Sequence, residues 1–166
     1  MRNPFFLSLL LLLGSAGCTG PSPGDLCSVT FKPYPDLTPD RIPTARNQAY
    51  VAGMKAYDRG DHAEAIAHFN DYARLGEYDK GVHLYLACSH LALNEPYDAE
   101  LQLDHLERSN LRQFADQAEW YTVVCWVCSG QLDRARAGAE RIAAQRHTYT
   151  QEAKDLLKAL GPEHAE

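Results

Sequence analysis

The sequence is poor in several things, and each shortage removes a class of function. It has no uninterrupted apolar run approaching the ~20 residues a helix needs to cross a bilayer. Positive charge is in deficit, with 16 Lys and Arg against 22 Asp and Glu and a net charge of −6. A surface of that sign repels phosphate, which argues against nucleic acid and anionic lipid as partners. There is no alternating apolar–polar run to make a sheet, and no glycine-rich loop after a strand to cradle a phosphate. Serine- and cysteine-hydrolase signatures are missing as well. Nothing in these absences supports an enzyme, a resident cofactor or a small-molecule substrate.

What is present begins with an address. Arg2 is followed by an apolar run from Phe5 to Leu13, then Gly14-Ser15-Ala16-Gly17-Cys18. The run is too short for a stable span, and small residues before a break suit signal-peptide cleavage. The ending Ser15-Ala16-Gly17-Cys18 resembles a bacterial lipobox, with Ser15 departing from the usual apolar residue. That resemblance implies a signal peptide over 1–17, diacylglycerol on Cys18, and a soluble domain held at an envelope membrane and facing the periplasm. No acidic sorting run follows Cys18, which favours the outer membrane over the inner.

Residues 18–43 hold Pro21, Pro23, Pro33, Pro35, Pro39 and Pro43. Proline lacks an amide donor and disfavours helix in the residue before it, so this stretch is expected to stay out of a helical bundle. Its first part, to Asp25, reads as a tether. The rest carries Leu26, Val29, Phe31, Tyr34, Leu37 and Ile42, which suits a strap docked on the domain that follows.

From 44 to 162 the punctuation is helical. Thr44 opens a first helix, Gly60 closes it, and Asp61 with Glu64 forms a capping box for the second. Asp79, Pro96, Ser109, Gly130, Thr148 and Gly161 mark the remaining starts and stops of seven helices. One pattern recurs. Gly53, Gly60-Asp61, Ala65 and Phe69 return as Ala87, Asn94-Glu95, Ala99 and Leu103 about 34 residues on. They return again, about 36 residues later, as Val123, Gly130-Gln131, Ala135 and Ala139. Small residues let two helices cross closely, and large ones fill the gap to the next pair.

This pattern is similar to the tetratricopeptide repeat, with copies at 46–78, 80–113 and 116–147 and a capping helix at 148–160. The resemblance implies an all-α stack of three helix hairpins in a right-handed superhelix, an α-solenoid that serves as a protein-binding scaffold. The third copy departs from it: Val123 stands where a small residue is expected and Ala139 where a large one is. That exchange predicts a third hairpin that is wider or differently angled.

Carried over residue by residue, the family's concave groove falls on Asn47, Tyr50, Met54 and Tyr57, on Gly81, Leu84, Cys88 and Leu91, and on Gln117, Trp120, Val124, Val127 and Cys128. It is nearly uncharged, so a clamp for a terminal carboxylate is not expected there. Two occupants compete: an apolar or proline-rich segment of an envelope protein, or the chain's own strap. If the strap fills it, partner binding moves outward, to the acidic row Glu100, Asp104 and Glu107 or to the basic pair Arg134 and Arg141. An accessory role in outer-membrane assembly is a further possibility.

The remaining cysteines are Cys27, Cys88, Cys125 and Cys128. An oxidising compartment permits pairing, and the groove position of Cys88 suggests a Cys27–Cys88 bridge pinning the strap. Cys125 and Cys128 have dithiol spacing, which offers redox or metal handling as the alternative function. They fall near the C-terminal end of a helix, where the dipole opposes a thiolate. His83 and His90 are too far apart for a one-helix zinc site, and no carboxylate clusters beside them in sequence, so no metal is expected.

Overall fold

The computed structural model describes residues 22–75, 78–109 and 111–162. The signal-peptide and Cys18 assignments lie outside these residues. Among them the chain forms eight α-helices and a single turn of 3₁₀ helix. They are α1 (Pro23–Thr30), α2 (Gln48–Asp58), α3 (His62–Ala73), α4 (Val82–Ala92), α5 (Pro96–Arg108), the 3₁₀ turn Arg112–Phe114, α6 (Ala115–Cys128), α7 (Leu132–Ala143) and α8 (Thr150–Leu160). None is long and apolar enough to cross a membrane. The protein is all-helical over the described residues, in agreement with the class read from sequence.

Seven of these helices correspond to the seven expected, though α2 begins at Gln48 and α6 at Ala115, later than Thr44 and Ser109 implied. The eighth, α1, lies inside the proline-rich stretch and corrects the expectation of a tether there. Pro23 occupies the first turn, where its missing amide costs no hydrogen bond. The Ser22 hydroxyl accepts from the Asp25 amide (3.2 Å), and the Asp25 carboxylate takes the Ser22 amide in return. A proline count cannot distinguish a breaker from an opener; position decides.

The capping box expected at Asp61 and Glu64 does not form. Glu64 instead meets Arg59 at 2.9 Å and lies 3.6 Å from His68.

Each helix from α2 onward packs on its neighbours in the chain, and α4 also touches α2 and α6, so the helices form successive hairpins. The three hairpin turns are alike. Gly60, Asn94 and Gly130 all take positive φ, at 77°, 60° and 76°. Their amides donate to Tyr57, Leu91 and Val127, and the next amides reach back to Ala56, His90 and Trp126. That pair of bonds satisfies the last carbonyls of a helix, and only a residue tolerant of the left-handed region supports it.

Close crossings explain the small residues. A Cβ on Gly53 would lie 2.5 Å from the Phe69 ring, so α2 and α3 touch only because it is absent. In the third hairpin the roles are exchanged. A Cβ on Gly138 of α7 would come 2.6 Å from Val123 Cγ2 of α6. The small partner stands on the opposite helix, so Val123 is accommodated there.

Candidate functional site

The chain's own strap lies against tyrosines of α2 and α6. Tyr57 on α2 donates its hydroxyl to the Tyr34 carbonyl, and Tyr121 on α6 donates to the Lys32 carbonyl, each at 2.8 Å. Tyr34 itself is buried, with its ring 5.9 Å from that of Tyr85. Further along, Arg41 grips Asp36 at 2.6 Å and lies over the Tyr50 ring at 5.1 Å. Leu26 on α1 is buried in the same core.

Apart from Trp120, which borders a depression beside α8, the predicted groove residues named below do not line open space. Met54, Tyr57, Leu84, Cys88, Leu91, Trp120, Val124 and Val127 are all buried, and Tyr50 is half-buried against Phe69, Tyr72 and Tyr85. Asn47 holds the end of the strap locally, accepting from the Thr44 amide and donating to the Ile42 carbonyl. Of the two occupants read from sequence, the strap is the one in place.

Tyr85, Tyr121 and Tyr149 belong to this surface and sequence reasoning missed them. A constant repeat offset carries Tyr50 onto Leu84 and Trp120, one residue short of Tyr85 and Tyr121. One residue turns a helical side chain by about 100°. Matching tyrosine to tyrosine in place of position to position finds both.

Cys27 is bonded to Cys128, with a Cα separation of 4.6 Å. This corrects the Cys27–Cys88 bridge. α1 lies along α6, so its cysteine meets the C-terminal end of that helix, while Cys88 is enclosed under the strap between the Tyr57 and Tyr121 hydroxyls. Burial pushes the Cys88 thiol up to about 11, although the Tyr34 backbone and the two tyrosine hydroxyls pull the other way. Burial also raises Cys125 strongly, with Glu100 adding to it. Cys125 and Cys128 thus do not form a poised pair: one is bonded elsewhere and the other is a protonated interior thiol. Native protein treated with iodoacetamide at pH 8 is expected to gain no adduct at Cys88 or Cys125, and both adducts after unfolding; peptide mass mapping reads this directly.

The same burial fixes a sign for alkaline stability. Unfolded, the Cys88 thiol ionises near its ordinary value of 9.0, whereas folded it keeps its proton to about 11. Burial raises Tyr57 and Tyr121 too. The folded chain then binds more protons than the unfolded one, so stability declines as pH climbs from about 9 to about 11. Urea midpoints across that range test it.

The hydroxyl-to-carbonyl bonds are a second test. Tyr57→Phe and Tyr121→Phe are each expected to cost about 1–2 kcal/mol, since each leaves a strap carbonyl without its donor. Limited proteolysis between α1 and α2 should accelerate in the double variant more than in either single one.

Metal-ligand geometry corrects another reading. Carboxylates do gather at His90: Glu95 Oε2 lies 2.7 Å from its Nδ1, and Asp98 completes a group whose donor atoms fall within 4.8 Å of one another. The tight turn at Asn94 brings them together, which linear spacing does not reveal. The group is largely exposed. His83 is buried between Gln102 and Tyr78, at 2.8 and 3.1 Å, and burial lowers its pKa. His147 accepts the Tyr149 amide at Nδ1, which leaves Nε2 facing Asp116 and Glu119 at 3.8 and 3.6 Å.

Outward charges pair across helices and, at Asp104 and Arg108, within α5. Arg134 reaches Glu100 at 3.6 Å and lies over the Trp126 ring, whose indole donates to the same carboxylate. Arg141 lies 3.9 Å from Glu119, and Asp104 pairs with Arg108. The acidic row is thereby partly neutralised. Comparison with protein-family models, curated proteins and solved structures returns no match to this chain.

Proposed function

We propose that this protein is a non-enzymatic scaffold for another envelope protein, anchored through lipid on Cys18, with three tetratricopeptide-like hairpins and α8 as their cap. The observation that carries the reading is the strap. An aromatic surface holds an extended chain through its main-chain carbonyls, at Tyr34 and Lys32, so side chains of these helices can grip a peptide segment by its backbone. The repeated turns at Gly60, Asn94 and Gly130 support the repeat assignment. Because the strap fills the concave side, partners dock outside it, where Tyr97 and Leu101 stay exposed one turn apart on α5. The lipobox-like ending supports an outer-membrane, periplasm-facing location.

Two measurements test this. Metabolic labelling with an alkyne fatty acid should mark the protein, and Cys18→Ala should abolish both the label and membrane fractionation. A photo-crosslinking residue at Tyr97, introduced in living cells, should give a discrete adduct with another envelope protein. Absence of the label removes the anchor, and absence of any discrete adduct across the exposed helices removes the scaffold.

A further inference from the structure

Beside the filled groove a second depression stays open. It measures about 560 Å³ and runs between the outer edge of the strap and α8. Its floor is Trp120 stacked on Tyr149, at 5.6 Å between centroids and 10° between planes, flanked by Tyr121 and Leu156. One wall is the strap from Val29 to Pro35, the other the Glu152, Asp155 and Ala159 stripe of α8. Val29 forms an apolar lip and is 68% exposed.

Three features define an occupant. First, Glu152 and Asp155 lie about a turn apart on an exposed face, and among the described residues no Lys, Arg or His nitrogen lies within ion-pairing reach of either. Asp155 takes one bond from the Gln151 amide at 3.1 Å, which leaves its charge uncompensated. Second, the strap wall includes Pro33 and Pro35, which have no amide to donate. A partner therefore cannot extend a full backbone ladder along it, and side chains must carry recognition. Third, the half-buried Tyr149 ring of the floor lines the same cleft as the two acids. A cationic head above an aliphatic stem suits that sequence of surfaces.

We infer that this cleft docks a basic segment of a partner protein, in which arginine or lysine meets Glu152 and Asp155 while an adjacent aliphatic side chain rests on Tyr149 and Leu156. The inference deepens the scaffold reading and rests on it. Lys32, the one cation among the described residues lining the cleft, stands on the opposite wall, so the segment's basic side faces α8. Phosphate-bearing partners are excluded by the acidic wall.

The test uses the full chain with its disulfide intact and a fluorescein-labelled peptide alternating arginine with leucine. Saturable binding is expected, weakening with added salt. Glu152→Lys with Asp155→Lys should weaken it by about tenfold or more, and Lys32→Glu should strengthen it by a few-fold. All three positions are exposed, so thermal unfolding should be unchanged in both variants. A peptide with glutamate in place of arginine should not bind. Equal affinity of the charge-reversed variant, equal binding of the glutamate peptide, or no saturable binding overturns the inference. If in-cell adducts from Tyr97 persist while the peptide fails, the scaffold stands and only this site falls.

Discussion

Replacing Cys27 and Cys128 together by serine is expected to lower the unfolding free energy by about 4 kcal/mol. The two residues are 101 apart in sequence. Closing a loop of that length removes a large share of the unfolded chain's freedom, worth about 4–5 kcal/mol in the chain-entropy account and somewhat less when measured. The bond also holds α1 on α6, while the strap beyond it is fastened by two tyrosine hydroxyls, the Tyr34 ring, the Arg41 clasp and Asn47. Urea unfolding of the oxidised protein and the double-serine variant measures the loss. Limited proteolysis should show the strap cut first. Peptide mapping without reductant must find Cys27 joined to Cys128. A Cys27–Cys88 peptide, or an unchanged urea midpoint, would refute the arrangement.

Phe69→Ala should cost a similar amount, about 4 kcal/mol, because the ring is fully buried and its removal leaves a cavity between α2, α3 and α4. The informative experiment is the cycle with Gly53. Alone, Gly53→Ala forces a methyl to 2.5 Å from the same ring and is expected to cost about 2 kcal/mol by overpacking. In a Phe69→Leu background that obstruction is smaller, so Gly53→Ala should cost markedly less there. Calorimetry or urea titration of the four proteins reads the coupling. Additive losses would mean that the glycine serves only backbone flexibility and that the close crossing is not what selects it.

These two variants probe different kinds of information. The glycine–phenylalanine crossing was legible in the chain because both residues belong to a repeated local pattern, and the pattern itself names which helix meets which. The cysteine pairing was not. Cys88 and Cys128 are both groove-register positions in the carried-over pattern, and sequence offers no rule for choosing between them. The choice follows from where α1 lies, and α1 was itself obscured by a proline that opens a helix where prolines were read as breakers. Tyr57, which holds the strap at Tyr34, was in the expected row, but Tyr85 and Tyr121 fell one residue outside it, enough to rotate them out of it. The gathering of Glu95 and Asp98 at His90 came from the turn at Asn94.

From sequence alone followed the helical class, the positions of seven helices, the glycine and asparagine turns between them and the small residues at the first two crossings. All of these depend on backbone sterics and on contacts within about one hairpin, so a few neighbouring residues determine each. Tertiary structure alone decided that the strap is held by Tyr57 and Tyr121, that Cys27 meets Cys128, that Gly138 makes room for Val123 and that an acidic, aromatic-floored cleft is left beside α8. Each of those depends on which distant surfaces are brought into contact, and a side chain's partner across space is set by the packing of whole helices, not by its neighbours along the chain.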